Sequence, residues 1–113
     1  MVFWPEIVGH LRKRCPIHRR LVVYRRPLKK KFEGSDLNGV THLSDSRLTI
    51  TILVNNSKNW PTQIDTLAHE WGHAMWMDEL TVIPDNMTQA KWHNDRWGVM
   101  YSRAYRAMLE ILF

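Results

Sequence analysis

The chain has 113 residues, of which 44% are apolar and 24% charged, and six are tryptophans. That supports one domain with one modest core, residues 1–113, and excludes wholesale disorder. The net charge of +5 is unevenly placed: residues 1–34 hold ten Lys/Arg against two Glu, a balance of +8, while residues 35–113 hold six against nine Asp/Glu, a balance of −3.

No apolar run approaches the ~20 residues of a membrane helix, so no membrane partner is expected. The opening "MVFWPEIVGHLRKRC" lacks the basic, apolar and small-residue order of a signal peptide. A single cysteine, Cys15, cannot form an internal disulfide or a thiolate zinc site, and reads as an inert small apolar residue. These features give a reducing, cytoplasmic compartment as the expectation. The basic first third suits nucleic acid or another acidic surface as a possible partner. The other reading is a solvated, solubilising face.

"PEIVGHLRKRC" has apolar residues at 7, 8 and 11, which predicts a short helix after Pro5. "RRLVVYRR" then predicts a strand, with Leu21 and Val23 on one face and Val22 and Tyr24 on the other. Pro27 ends that strand or confines it to a sheet edge, and "KKKFEGSDLNG" reads as loop. "NGVTHLSDSRLTITILVNN" predicts a hairpin. Leu48, Ile50, Ile52 and Val54 alternate with Thr49, Thr51 and Leu53, and Ser44, Asp45 and Ser46 supply the turn.

The period then changes. Thr62 and Asp65 resemble a capping box beside Pro61. Ile64, Leu67, Ala68, Trp71 and Met75 follow at helical spacing, predicting a helix over about 62–78. "TVIPDNMTQAK" reads as a connection. A last helix begins near His93 or Asn94, with Trp97, Met100, Tyr101, Ala104, Met108 and Ile111 as its apolar stripe. The order predicts an α+β fold: a small three-stranded antiparallel or mixed sheet packed with about three helices.

"LAHEWGHAM", residues 67–75, interrupts an otherwise ordinary buried helix. At ~100° per residue, His69 and His73 lie ~40° apart, one turn above the other, so both imidazoles can reach one metal ion. Both point away from the stripe of Leu67, Ala68 and Trp71, which implies a second buried surface. Glu70 is offset around the helix, where it can reach a water on the metal. The pattern is HExxH, filled by His69-Glu70-Trp71-Gly72-His73. Imidazole donors suit Zn2+, which lowers the pKa of its water to ~7 and lets the Glu act as general base. The bland alternative is a helix with two exposed His flanking a Glu.

A catalytic zinc needs a third protein ligand. Asp78 and Glu79 sit too near the helix end to fold back easily. His93, twenty residues after His73, opens the next helix and is the softer donor. It is the leading candidate, with Asp95 and Asp85 behind it. His42, in the hairpin, reads as a plain strand residue.

"HEWGH", a connection and then "HNDRWGVMY" resemble the SprT-like zinc metallopeptidases, whose HExxH is followed by His-Gly-x-x-Trp/Phe on the next helix. His93 matches the third ligand and Trp97 the aromatic; Asn94 stands where that family usually has Gly. The resemblance implies a compact gluzincin-like fold and a zinc-dependent endopeptidase (a metalloprotease, hydrolase class). His69, His73 and His93 would be the metal ligands and Glu70 the catalytic base. It further implies a protein or peptide substrate, which could pair with a sheet edge near "LTITILV" or, more exposed, "GVTHL". Several relatives act on DNA-associated proteins. Stand-alone single-domain forms are similar to phage-encoded proteins, and the zinc ribbon of many relatives has no counterpart in a chain with one Cys.

Tyr101, Tyr105 and Arg103 are candidate oxyanion stabilisers, with core packing the competing reading for Tyr101. Trp71, Trp76, Trp92 and Trp97 cluster in sequence around the proposed site, as core or as its hydrophobic shell. Interleaved Tyr and basic residues in "RRLVVYRRPLKKK" suit a nucleic-acid surface or a protected edge strand. Two other readings stay open: a catalytically silent zinc-stabilised protein- or DNA-binding module, and a basic nucleic-acid-binding protein with an accidental motif. Oligomeric state is not legible.

Overall fold

The computed structural model describes residues 2–29, 31–32, 35–80 and 93–112. Helix α1 spans Trp4–Arg14. Pro5 lies in its first turn, where the missing N–H costs nothing, and Arg12, Lys13 and Arg14 close the negative end of its dipole. Its apolar face is anchored by Ile7 and Leu11, both fully buried.

Strand β1, Arg20–Arg26, stops at Pro27 as expected. A two-residue antiparallel ladder pairs β2 (Lys31–Phe32) with β3 (Ser35–Asp36), where the composition predicted only loop. Strands β4 (Gly39–Leu43) and β5 (Thr49–Asn55) form the expected hairpin, with Gly39 opposite Val54 and Leu43 opposite Ile50. Leu48 lies outside the strand and is 70% exposed. The turn places Arg47 in the left-handed region at φ 63.

β1 runs parallel to β5, pairing Leu21 with Ile50 and Arg25 with Val54. The sheet order is therefore β1-β5-β4, a mixed sheet. Together with the three helices of the described residues it makes the α+β fold that the sequence predicts. One expectation needs correcting. "LTITILV" is the central strand, with Ile50, Ile52 and Val54 buried and both edges paired, so it cannot accept a peptide. Of the two segments considered, only β4 keeps an unpaired edge among the described residues.

Asn55 locks the end of β5 and was not foreseen. It is fully buried. Its amide donates to the carbonyls of Leu28 and Leu37, and its side-chain oxygen accepts from Leu28 and Ser57. One side chain thus ties the ends of β1, the β4 approach and the turn into the next helix.

Helix α2 spans Trp60–Glu79. Asn59 is its N-cap, its side chain accepting from the Thr62 N–H at 2.9 Å. The expected Thr62/Asp65 capping box does not form: the cap lies three residues earlier, and Asp65 accepts from Tyr101 instead. Leu67, Ala68, Trp71 and Ala74 are fully buried. Helix α3, Asp95–Leu112, covers the other side of α2 and buries Met100, Ala104, Ala107 and Met108. Two packed sides explain why α2 is buried almost all round along residues 66–77. No described helix is long and apolar enough to cross a membrane.

The C-terminus of α2 is closed from outside. The Arg19 guanidinium donates to the carbonyls of Met77, Asp78 and Leu80, satisfying groups that the helix itself leaves unpaired. The Asp78 carboxylate accepts from the N–H groups of His18 at 2.7 Å and Arg19 at 3.0 Å. Burial pushes the Asp78 carboxyl upward, but these backbone donors and His18 outweigh it and hold its pKa below the ordinary value. A depressed carboxylate contributes stability above the unfolded-state pKa and loses it as pH falls through the folded-state value. Wild-type stability is therefore expected to drop faster than that of Asp78→Asn between about pH 5 and pH 2. Parallel slopes in urea titrations across that window would contradict the role given to Asp78.

Candidate metal centre

Helical spacing puts His69 and His73 one turn apart on the side of α2 that meets α3. His93 precedes the first residue of α3 by two positions. The fold brings the three rings together. Nε2 of His73 lies 3.2 Å from Nε2 of His69 and 3.1 Å from that of His93, and the third side of the triangle is 3.3 Å. His73 is buried, His69 half-buried and His93 exposed, so one flank of the triangle opens to solvent.

The donor set fits a metal ion. Three Nε2 atoms at this separation cannot all bond one another, since a ring nitrogen of a neutral imidazole is either a donor or an acceptor, never both. Tetrahedral ligands at the ~2.0–2.1 Å of a zinc–imidazole bond stand about 3.3–3.4 Å apart, close to the spacing seen. Among the described residues this is the group of His, Cys, Asp or Glu with metal-binding proximity. Burial holds His69 and His73 neutral, as ligands must be. It lowers the His73 pKa to about 3, with help from His69 and His93, and it lowers the His69 pKa, again with His93 adding to the effect.

Glu70 leaves the helix on the flank facing β4. Its Oε2 lies 3.6 Å from Nε2 of His69. Its Oε1 accepts from the Thr41 hydroxyl of β4 at 2.8 Å. Burial raises the Glu70 pKa to about 7, against the lowering effect of the Thr41 bond. β4 comes this close because it begins with Gly39. A Cβ there would meet the Thr66 methyl at 2.6 Å and the Leu53 carbonyl at 2.9 Å. Thr41 was not singled out from the sequence. The signal was present, since strand alternation puts residues 39, 41 and 43 on one face, but nothing local said which face met the helix.

Trp97 braces the triangle. Its ring stacks on His73 at 5.3 Å and packs edge-on against His69 at 4.9 Å and His93 at 4.6 Å. Its indole N–H donates to the His69 carbonyl at 3.3 Å. Asn94 caps α3, its side chain accepting from the Trp97 N–H at 3.0 Å. The Asn that departs from the Gly of the SprT-like pattern thus has a clear helix-starting role. Arg96, two residues along, makes a two-pronged ion pair with Glu79 at the end of α2. That pair joins the two helix ends next to His93.

The other candidates fall elsewhere. Asp78 and Glu79 are engaged as described, and Asp85 and Trp92 lie outside the described residues. Asp95 is exposed at the start of α3, and His42 is an exposed strand residue, as expected. Trp71 is core, donating to the Cys15 carbonyl at 3.0 Å. Tyr101 packs on His69 at 5.7 Å and on Trp97 at 5.4 Å, while its hydroxyl donates to Asp65. Burial and that carboxylate both raise its pKa. Tyr105 is 40% exposed, and the Arg103 guanidinium contacts the Met100 sulfur.

Gly72, inside the motif, sets the helix crossing. A Cβ there would sit 2.8 Å from the Tyr101 nitrogen and 2.9 Å from its Cα. Backbone cannot yield as a flexible side chain does, so α3 would have to move away. No protein family, curated protein or solved structure matches the chain.

In an exposed helix, Gly→Ala stabilises by roughly 0.5–1 kcal/mol. Here Gly72→Ala is expected to destabilise by about 1–3 kcal/mol, read as a lower urea midpoint, and to weaken metal binding by displacing His93. A stabilised variant with undiminished metal affinity would contradict the crossing as drawn.

Proposed function

We propose that the chain is a zinc-dependent endopeptidase of the SprT-like kind. The observation that carries this reading is the convergence of three imidazole Nε2 atoms within 3.3 Å beside a buried carboxylate. A site built only for structure tends to use four protein ligands and has no use for a buried base. "HEWGH" followed by "HNDRW" supports the family.

His69, His73 and His93 hold the ion. Zinc, when bound, supplies Lewis acidity that acidifies water and polarises a peptide carbonyl. Glu70 accepts a proton from the attacking water and delivers it to the leaving amine. Thr41 fixes one oxygen of that carboxylate, which orients the other toward the imidazole triangle. An extended protein or peptide substrate adds to the edge of β4 left unpaired among the described residues, beside Glu70. Tyr101 keeps its hydroxyl on Asp65 and acts by packing against His69. A reducing, cytoplasmic setting suits buried Cys15, whose pKa burial raises.

Casein and quenched-fluorescent peptide libraries provide the assay. Wild type is expected to cleave, to stop on chelation and to recover with zinc. Glu70→Gln is expected to lower turnover by roughly 10²–10⁴-fold while keeping its metal. Unimpaired cleavage by Glu70→Gln would refute the assignment of the base. A zinc-loaded wild type with no turnover would instead leave the silent, metal-stabilised binding module.

A further inference from the structure

Residues 7–32 contain ten Lys/Arg and not one Asp or Glu. Three of those cations serve the fold. Arg12 donates to the Leu21 carbonyl, Arg14 pairs with Glu110, and Arg19 closes α2. Arg20, Arg25, Arg26 and Lys29 have no carboxylate within ion-pair distance among the described residues.

Two of these stack on aromatic rings at the C-terminal end of β1. The Arg25 guanidinium lies 5.0 Å from the Trp4 ring centre and 5.9 Å from that of Trp60. The two indoles are themselves 6.3 Å apart, edge to face. Arg26 lies 4.4 Å over Tyr24. Tyr24 is 41% exposed and Trp60 40%. Strand alternation puts Arg25 and Arg26 on opposite faces, so the two stacks flank one edge of the sheet.

Protection of an edge strand explains Lys and Arg beside β1, but it does not call for exposed aromatic rings. Cations interleaved with accessible π-faces match a nucleic-acid strand, whose phosphates need positive charge and whose unpaired bases need stacking partners. We propose that the end of β1, with Trp4, Tyr24, Arg25, Arg26, Lys29 and Trp60, is a binding surface for single-stranded nucleic acid. The cations contact phosphates, and Tyr24 and Trp60 stack on bases. The surface uses none of the residues of the metal centre.

The test is fluorescence anisotropy with a labelled oligothymidylate of about 20 nucleotides, read from about 50 to 200 mM salt. Wild type is expected to bind, more weakly as salt rises, and to prefer the single strand to a duplex. Tyr24→Ala and Trp60→Ala each weaken binding about tenfold with the salt slope unchanged, while Trp60→Phe retains it. Arg26→Ala reduces the slope by about 1. Arg106→Ala, on α3, changes neither quantity. Circular dichroism confirms that each variant folds. Failure of wild type to bind at low salt would overturn the proposal. So would equal affinity for duplex, wild-type binding by Tyr24→Ala and Trp60→Ala together, or binding only to phosphatidylserine vesicles.

Discussion

The close crossing of α2 and α3 is the constraint on which the centre depends. Two of its imidazoles come free with helical geometry, because His69 and His73 are one turn apart on one element. The third belongs to a different element, and its position is set by how near that element can approach. Gly72 permits the backbones of the two helices to approach at Tyr101. Trp97 fills the space left between the helices with a ring that touches all three imidazoles. Arg96 and Glu79 tie the helix ends, and Asn94 fixes where α3 starts. Each device acts on the same distance, that from His93 to the other two imidazoles.

The sheet imposes the second constraint. Glu70 is a carboxylate in a place that water barely reaches, and burial alone would favour its neutral form. One hydroxyl from β4 partly offsets that cost, and Gly39 is what lets β4 approach. Converging lone pairs on one flank of α2 and a buried acid on the next are both unfavourable in isolation. Local rules broken together at one place are the mark of a functional site, and a cation among the three nitrogens relieves both.

Most of this was legible where a feature is local and periodic. Alternation in "LTITILV" and the 3.6-residue spacing of Leu67, Ala68 and Trp71 gave the elements and their buried faces. The spacing of His69 and His73 gave two of the three imidazoles outright, and His93 followed from its softness and its place at a helix start. What local pattern could not supply was partner choice across the chain. Nothing near Leu21 says that β1 will lie parallel to β5, and that pairing turns "LTITILV" from a candidate edge into the middle strand. Asn55 bonds to residues 27 and 18 positions away, and Arg19 closes a helix some 60 residues on, so neither role has a local signature. The capping error is of another kind. Thr62 and Asp65 made a plausible box, yet Asn59 was the better-placed acceptor and Asp65 was taken by Tyr101.

The most direct test of the account is a metal titration of the purified protein, combining elemental analysis with competition against a chromogenic chelator, for wild type beside His93→Ala. The account predicts about one zinc per chain in wild type. It predicts a loss of at least roughly ten- to a hundred-fold in affinity when the third imidazole is removed, with the fold intact by circular dichroism. A folded wild type that neither carries zinc nor takes it up would contradict the account. So would a His93→Ala protein that binds zinc as tightly as wild type.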